Sequence, residues 1–172
     1  MDILVLNGSP RPRGNTAALV DAFVEGAREA KHDVEVLDVA RMDIAGCRGC
    51  EHCHTTGEGA CAIRDDMECV YARWNEAEML VLASPVYYGS FSAQLHAAIH
   101  RTYALDKPRN VRAMALILSS GAREVYAASE RIYHGFIQGY FGVEDLGTFT
   151  AAGAENKSTA KLEELRAFGR SL

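Results

Sequence analysis

The sequence predicts a doubly wound α/β fold, a five-stranded parallel sheet with helices on both faces. Three observations lead there. Short β-rich apolar runs lack the polar alternation of a half-exposed strand, so each reads as a strand covered on both sides. Segments with apolar residues at helical spacing alternate with those runs, and such alternation closes as right-handed crossovers between parallel strands. No internal repeat, low-complexity tract or long Pro/Gly/Ser linker divides the chain, so residues 1–172 are expected to form a single domain.

In order, the strands are Ile3–Leu6, Val34–Leu37, Met79–Ala83, Ala113–Leu118 and a weaker Val143–Phe149. One helical face each is made by Leu19, Phe23 and Ala27, by Leu95, Ile99 and Tyr103, by Val125, Ile132 and Phe136, and by Leu162, Leu165 and Phe168. A further helix is expected after Asp65-Asp66, which read as its N-cap and dipole complement, with Cys69 buried in its packing. The stretch 41–64, rich in Cys, Gly, His and Thr, is a loop insertion longer than a plain connection needs.

Composition narrows the function. A chain of 172 residues, 48% of them hydrophobic, builds a core without help from disulfides or metal. With 18 Lys plus Arg against 23 Asp plus Glu, the net charge of −5 lacks the dense positive surface that nucleic acid requires. The first apolar run breaks at Asn7-Gly8, too early for a signal peptide, and no run is long enough to span a membrane, so a cytoplasmic location is expected. All five cysteines fall between positions 47 and 69, a clustering that points to metal, cluster or redox chemistry rather than disulfide stapling.

The loop after the first strand, Asn7 to Thr16, sits where an open parallel sheet binds ligands, at the carboxyl ends of its strands. Gly8 and Gly14 let the backbone approach a ligand; Ser9, Asn15 and Thr16 offer donors; Arg11 or Arg13 offers a planar cation; and the helix N-terminus adds unpaired N–H groups and about half a positive charge. Together they suit one phosphate. The loop is neither GxxxxGK[ST] nor GxGxxG, which disfavours a nucleoside triphosphate, and the plainer reading is a Pro-rich turn with Asn15 or Thr16 as a helix cap.

Gly8-Ser9-Pro10-Arg11 followed by Gly14-Asn15-Thr16, the run Cys47-Arg48-Gly49-Cys50-Glu51-His52-Cys53, Cys61 to Met67, and Ser84-Pro85-Val86-Tyr87-Tyr88-Gly89 occur in this order across the chain. In this the sequence resembles the NAD(P)H-dependent FMN reductases of the flavodoxin-like superfamily. The resemblance implies strand order 2-1-3-4-5, a FMN phosphate contacted by Ser9, Arg11, Gly14, Asn15 and Thr16, and an isoalloxazine ring beside Pro85, Val86, Tyr87, Tyr88 and Gly89, with Ser119, Ser120 and Gly121 as a third loop at the flavin. The residues themselves allow this: a loop after the third strand ends at the same sheet edge, and Tyr87 or Tyr88 offers an aromatic face, although tyrosines there also serve as plain rim residues. Small residues after the fourth strand equally suit an ordinary turn and cap. Where relatives commonly carry a Lys and an Asp-Arg on the next helix, this chain has His96 and His100-Arg101. The two histidines share a helix face and read as half-exposed surface or subunit-contact residues rather than a metal pair.

Cys47, Cys50, Cys53 and Cys61 supply four thiols within fifteen positions, as a [4Fe–4S] cluster or a tetrahedral zinc requires. The spacing resembles the compact motif of iron-sulfur flavoproteins, which implies a cluster exchanging single electrons with FMN, close to it. A cluster, a zinc, a reversible disulfide and an empty loop all stay open from the residues alone. The functional expectation is an oxidoreductase in which FMN takes hydride from NAD(P)H and passes electrons to a small-molecule acceptor such as a quinone, flavin, nitro or azo compound. The flavin carries the chemistry, so no protein acid, base or nucleophile is assigned a catalytic role. The alternatives are an electron carrier serving a redox protein partner and a structural zinc module. Aromatic surface at Tyr87, Tyr88, Phe91 and Tyr126 further suggests a homodimer or homotetramer with no membrane or nucleic-acid partner.

Overall fold

In a computed structural model that describes residues 1–172, all five strands join one parallel sheet in the order β2-β1-β3-β4-β5. The strands are β1 (Asp2–Asn7), β2 (Asp33–Leu37), β3 (Met79–Pro85), β4 (Ala113–Ser120) and β5 (Glu144–Ala152). The central three bury nearly every side chain, which is why their sequences are continuously apolar. Because successive side chains point to opposite faces, Ile3 and Val5 enter one core with Val81, while Leu4 and Leu6 enter the other with Leu80 and Leu82.

The first of these cores is closed by α1 (Asn15–Glu29) and α6 (Thr159–Arg170), the second by α2 (Met67–Trp74), α3 (Ala93–Arg101) and the segment that begins as α4 (Ala127–Ile132). As expected, Leu19, Phe23 and Ala27 are fully buried. Helices α1 and α6 approach closely at two glycines: a Cβ on Gly26 would lie 1.9 Å from the Arg166 carbonyl oxygen, and one on Gly169 would lie 2.4 Å from that of Phe23.

Several local expectations are corrected. The helix after β4 passes from α4 into a π-helical stretch, Tyr133–Gln138, and ends in α5 (Gly139–Phe141). Its buried stripe is Ser129, Tyr133 and Ile137, which leaves the expected core residue Phe136 68% exposed. Tyr103 is also exposed, because α3 ends at Arg101 and a tighter helical turn carries Tyr103 off the apolar face. On α2 the buried residues are Met67, Val70 and Trp74, and Cys69 falls outside that stripe and is exposed. Strand β5 runs three residues beyond the expected end, where Thr150, Ala151 and Ala152 pair with Leu118, Ser119 and Ser120. No helix is long and apolar enough to cross a membrane.

The contact at Gly26 is the closer of the two and is checked by Gly26→Ala. The added methyl must push α6 off α1, and the expected loss, about 1–3 kcal/mol of overpacking, is read as a lower midpoint in urea unfolding; an unchanged midpoint would contradict the close approach.

Candidate functional site

Parallel pairing brings the carboxyl ends of β1, β3 and β4 to one edge, and hydrogen bonds then tie their loops together. Gly8 N–H donates to the Ala83 carbonyl at 2.8 Å, and Val86 N–H donates to the Ser119 carbonyl at 2.8 Å. Thr16 Oγ1 and Ser119 Oγ lie 2.7 Å apart, both buried, so the first helix is fastened to the end of β4. Asn7 is buried at the end of β1, accepting from Ser9 N–H at 3.1 Å and donating to Asp38 Oδ1 at 2.8 Å, which sets the path of the loop.

The result is a polar cleft of about 100 Å³ lined by Ser9, Arg11, Gly14, Asn15, Thr16, Pro85, Val86, Tyr87, Ser119, Ser120 and Gly121. An adjoining groove of about 340 Å³ is lined by Val86, Tyr88, Gly89, Ser120, Gly121, Ala122 and Val125. All thirteen residues singled out in the sequence are thus brought to one continuous site. The expected cap is absent: Gly14 is the N-cap of α1, and no side chain satisfies its first-turn N–H groups, which are left for a ligand. A Cβ on Gly14 would meet the Arg11 Cβ at 2.9 Å, whereas around Gly121 there is open space. Small polar cleft, uncapped helix and open groove fit a phosphate joined to a flat, extended group.

The ring-side loop folds back on itself through a Tyr87–Ser90 bridge, with Tyr88 and Gly89 both at positive φ (50° and 76°). Ser129 Oγ donates to the Gly89 carbonyl and holds the tip, so Tyr88 stands fully exposed and Tyr87 is 45% exposed. The same fold-back drops Phe91 into the core, 3% exposed, and Tyr126 is half-buried, bonded to Ser120 Oγ and to the Ala151 carbonyl. Neither supplies the exposed aromatic surface expected of it. His96 is half-buried, 2.8 Å from Ser90 Oγ, and its ring centroid is 5.5 Å from that of His100; burial, then His100, holds it below the ordinary imidazole range. Ala122 and Val125, which the sequence reading did not single out, complete the groove; bland residues carry no signal of their own.

The cysteine loop is organised by a residue the sequence reading left without a role. Arg101, 1% exposed at the end of α3, pairs with Asp65 (2.6 and 3.1 Å) and donates to the carbonyls of Ala45 and Ile63, gathering both ends of the loop. Asp65 also accepts from the N–H groups of Ala45 and Met67, whereas Asp66, the N-cap of α2, makes no capping bond with its side chain and accepts from Asp43 N–H instead. Burial pushes the Asp65 carboxyl up, but hydrogen bonds from Arg101, Ala45 and Met67 outweigh it and hold the group below its ordinary 3.8. Burial likewise raises Cys61, and the Ile63 N–H, the Arg101 cation and the Tyr71 hydroxyl more than offset it, leaving the thiol below its ordinary range. Cys53 is raised by burial and then by its neighbours Cys61, Glu51 and Cys47, despite a backbone hydrogen bond that lowers it.

No three His, Cys, Asp or Glu side chains meet around a common point as a bound metal requires. None of the four thiols lines the cleft or the groove, and the loop that carries them is fastened through Arg101 at the C-terminal end of α3. The donor set still fits a soft metal centre in its chemistry, with four thiols on one loop and open space around Gly46 and Gly49, and the buried Arg101 that holds both ends of that loop keeps an unpartnered Nε. The largest cavity, about 470 Å³, lies between the end of α3 and the π-helical stretch, with Cys47, Tyr103, Phe136 and Tyr140 among its walls. It shares no residue with the three converging loops.

The model of the NADPH-dependent FMN reductase family matches residues 1–142. The chain belongs to that family. Among curated relatives, it is 36% identical over 105 residues to an iron-sulfur flavoprotein of Methanocaldococcus jannaschii, covering 61% of this chain and 53% of that one. It is 30% identical over 141 residues to an iron-sulfur flavoprotein of Archaeoglobus fulgidus, covering 78% and 68%. The chain therefore spans about half the length of the first of these family members. Solved structures with the same fold include an NAD(P)H:quinone oxidoreductase from Methanothermobacter marburgensis (TM-score 0.78, 18% identity, 99% and 93% covered). Another is an FMN-dependent NADH-azoreductase from Bacillus anthracis in complex with FMN (TM-score 0.72, 14% identity, 99% and 98% covered). These confirm the flavodoxin-like architecture within which the family's loops are arranged.

The buried pair yields a stability prediction. Removing one charge from a buried pair costs about 3–5 kcal/mol, so Asp65→Asn should lower the unfolding free energy at pH 7 by that order, measured by chemical denaturation. The folded-state pKa of Asp65 is depressed, so its contribution is fully present above pH 3.8 and is lost as pH falls through the lower, folded value. Stability owed to this group should accordingly be flat from pH 7 to 5 and should drop only below about pH 4; a loss beginning near neutrality would point to other groups.

Proposed function

We propose that the protein is an FMN-dependent oxidoreductase that takes electrons from NAD(P)H and delivers them to a small-molecule acceptor. One observation carries the reading: three loops from separate strands form a small polar cleft that opens directly into a larger, mostly apolar groove. FMN has that shape and polarity, and when bound it supplies the hydride and electron chemistry. The family membership and the FMN complex of the azoreductase neighbour support the same cofactor.

In this reading the uncapped N–H groups of α1, with Ser9 and Asn15, bind the phosphate, and Arg11 supplies the only cationic side chain lining either cavity. Thr16, engaged with Ser119, acts by holding the helix terminus in line rather than through a free hydroxyl. Backbone groups of Pro85 to Gly89 and of Ser119 to Gly121 border the ring. No Asp, Glu, His, Lys or Cys lines the cleft or the groove. The chain's part is therefore to bind and orient, leaving the open side of the groove to NAD(P)H and the acceptor in turn. Quinones, flavins, nitro and azo compounds all suit an open apolar groove.

A second reading, an iron-sulfur flavoprotein that exchanges electrons with a protein partner, is favoured by the thiol loop and by the relatives that carry that name. Cys47, Cys50, Cys53 and Cys61 would hold the cluster, which supplies one-electron transfer when present. We also propose a homodimer or homotetramer, with the exposed Tyr88 tip among the contacts.

The phosphate assignment is tested by comparing FMN with riboflavin. Asn15→Ala or Arg11→Met should weaken FMN by about 1.5–3 kcal/mol for each charge-assisted hydrogen bond lost and leave riboflavin nearly unchanged; equal losses for both ligands would remove the assignment. For assembly, sedimentation velocity should find a dimer or tetramer that Tyr88→Ser weakens, and a monomer throughout the working concentration range would rule the assembly out.

A further inference from the structure

We propose that Asn156, on the turn between β5 and α6, is a positioning residue of the flavin site: by holding the Ser120 carbonyl inside the protein it presents the Gly121 N–H, on the other side of the same peptide, as a hydrogen-bond donor to the polar edge of the flavin ring. The inference rests on the FMN reading above and adds to it a residue that lies beyond the family-matched stretch 1–142 and lines neither cavity.

The turn, Gly153–Lys157, leaves β5 at Gly153, whose φ of 54° suits a residue without a side chain, and it runs so close to the third loop that a Cβ there would lie 3.6 Å from the Gly121 carbonyl oxygen. From this turn Asn156, 1% exposed, donates one N–H to the Ser120 carbonyl and the other to that of Gly153, both at 2.9 Å. Two carbonyl acceptors fix which way the amide faces and leave its oxygen buried without a partner. A side chain needed only to fill the space would be apolar. A buried amide with its acceptor idle is costly, and such groups persist where their other bonds are required. Lys157 Nζ, on the same turn, donates to the Arg13 carbonyl at 3.1 Å, so the turn braces the first loop as well as the third.

The Ser120–Gly121 peptide is trans, so its C=O and N–H point in opposite directions. With the carbonyl turned inward onto Asn156, the N–H turns outward, on the side where Gly121 is exposed and lines both the cleft and the groove. That N–H has no acceptor in the protein, and nothing lies within 4 Å of a Cβ built on Gly121. Tyr126 holds Ser120 by its side chain, the two hydroxyl oxygens being 2.7 Å apart. Ser120 is thus gripped at its hydroxyl and at its carbonyl, which fixes the plane of the peptide that follows. A donor set in place before the ring arrives adds no ordering cost on binding, and a hydrogen bond to the ring favours its more electron-rich, reduced form.

The test compares the whole chain with Asn156→Leu, with Gly121→Pro, which removes the donor itself, and with the double variant, measuring affinity for FMN and for riboflavin, the reduction potential of bound FMN, and urea unfolding. Asn156→Leu keeps the volume of the side chain. It should weaken FMN and riboflavin alike, each about 3–10-fold, and move the potential of the bound flavin to a more negative value, which a loss of packing alone would leave in place. The double variant should bind no more weakly than Gly121→Pro, since both changes remove one and the same interaction. In the wild type, FMN should slow hydrogen exchange at the Gly121 amide, followed by NMR, and this measurement decides should Asn156→Leu fail to fold. Unslowed exchange, wild-type affinity and potential in folded Asn156→Leu, losses that add in the double variant, or a loss confined to FMN would each overturn the positioning role while leaving the FMN reading intact. A wild type that binds neither FMN nor riboflavin would overturn both.

Discussion

Parallel pairing of β1, β3 and β4 is the constraint on which everything else in this molecule depends. It sends the loop after each strand to the same edge of the sheet, so that groups from residues 9, 86 and 119 become neighbours without any loop having to be long. The continuous burial of the three strands follows from the same geometry, since parallel sheets need helices on both faces. Short hydrogen bonds between loops, above all Thr16 to Ser119, convert that convergence into a fixed shape. A cleft assembled before any ligand arrives forgoes the ordering cost that a floppy loop would incur on binding.

The thiol loop obeys a different logic. It does not grow from the cleft edge but is fastened to the far end of α3 by one buried arginine and one buried carboxylate. Desolvation makes such a pair weak evidence of net stability. Its value here lies in what it brings together, the start of the loop, its end and the first turn of α2. The two candidate redox sites therefore share no lining residue and have separate means of support.

Much of this was legible in the residues. Apolar runs gave the strand order of appearance, and the loops with Gly, Ser, Pro and Arg after β1 and with Pro, Tyr and Gly after β3 marked the cleft, because turn chemistry and donor groups are local properties. What escaped was non-local. Asp65 and Arg101 are 36 positions apart, and no pattern near either announces the other. Phe91 and Phe136 depart from the sequence pattern for a related reason: a fold-back at Tyr87–Ser90 and a π-helical stretch each shift which side chain faces inward, and neither leaves a periodic trace. The number of bonds a Cys can make is likewise silent on whether four of them meet.

Because a single side chain at the end of α3 grips the cysteine loop near both its ends, the segment between residues 46 and 62 behaves as a lasso whose length is uncoupled from the sheet. The entropy of closing a loop rises only slowly with added residues. Insertions, deletions and changes of cysteine spacing inside the lasso can therefore accumulate while the cleft edge of the sheet stays as it is, which makes this appendage the part of the architecture most open to evolutionary exchange.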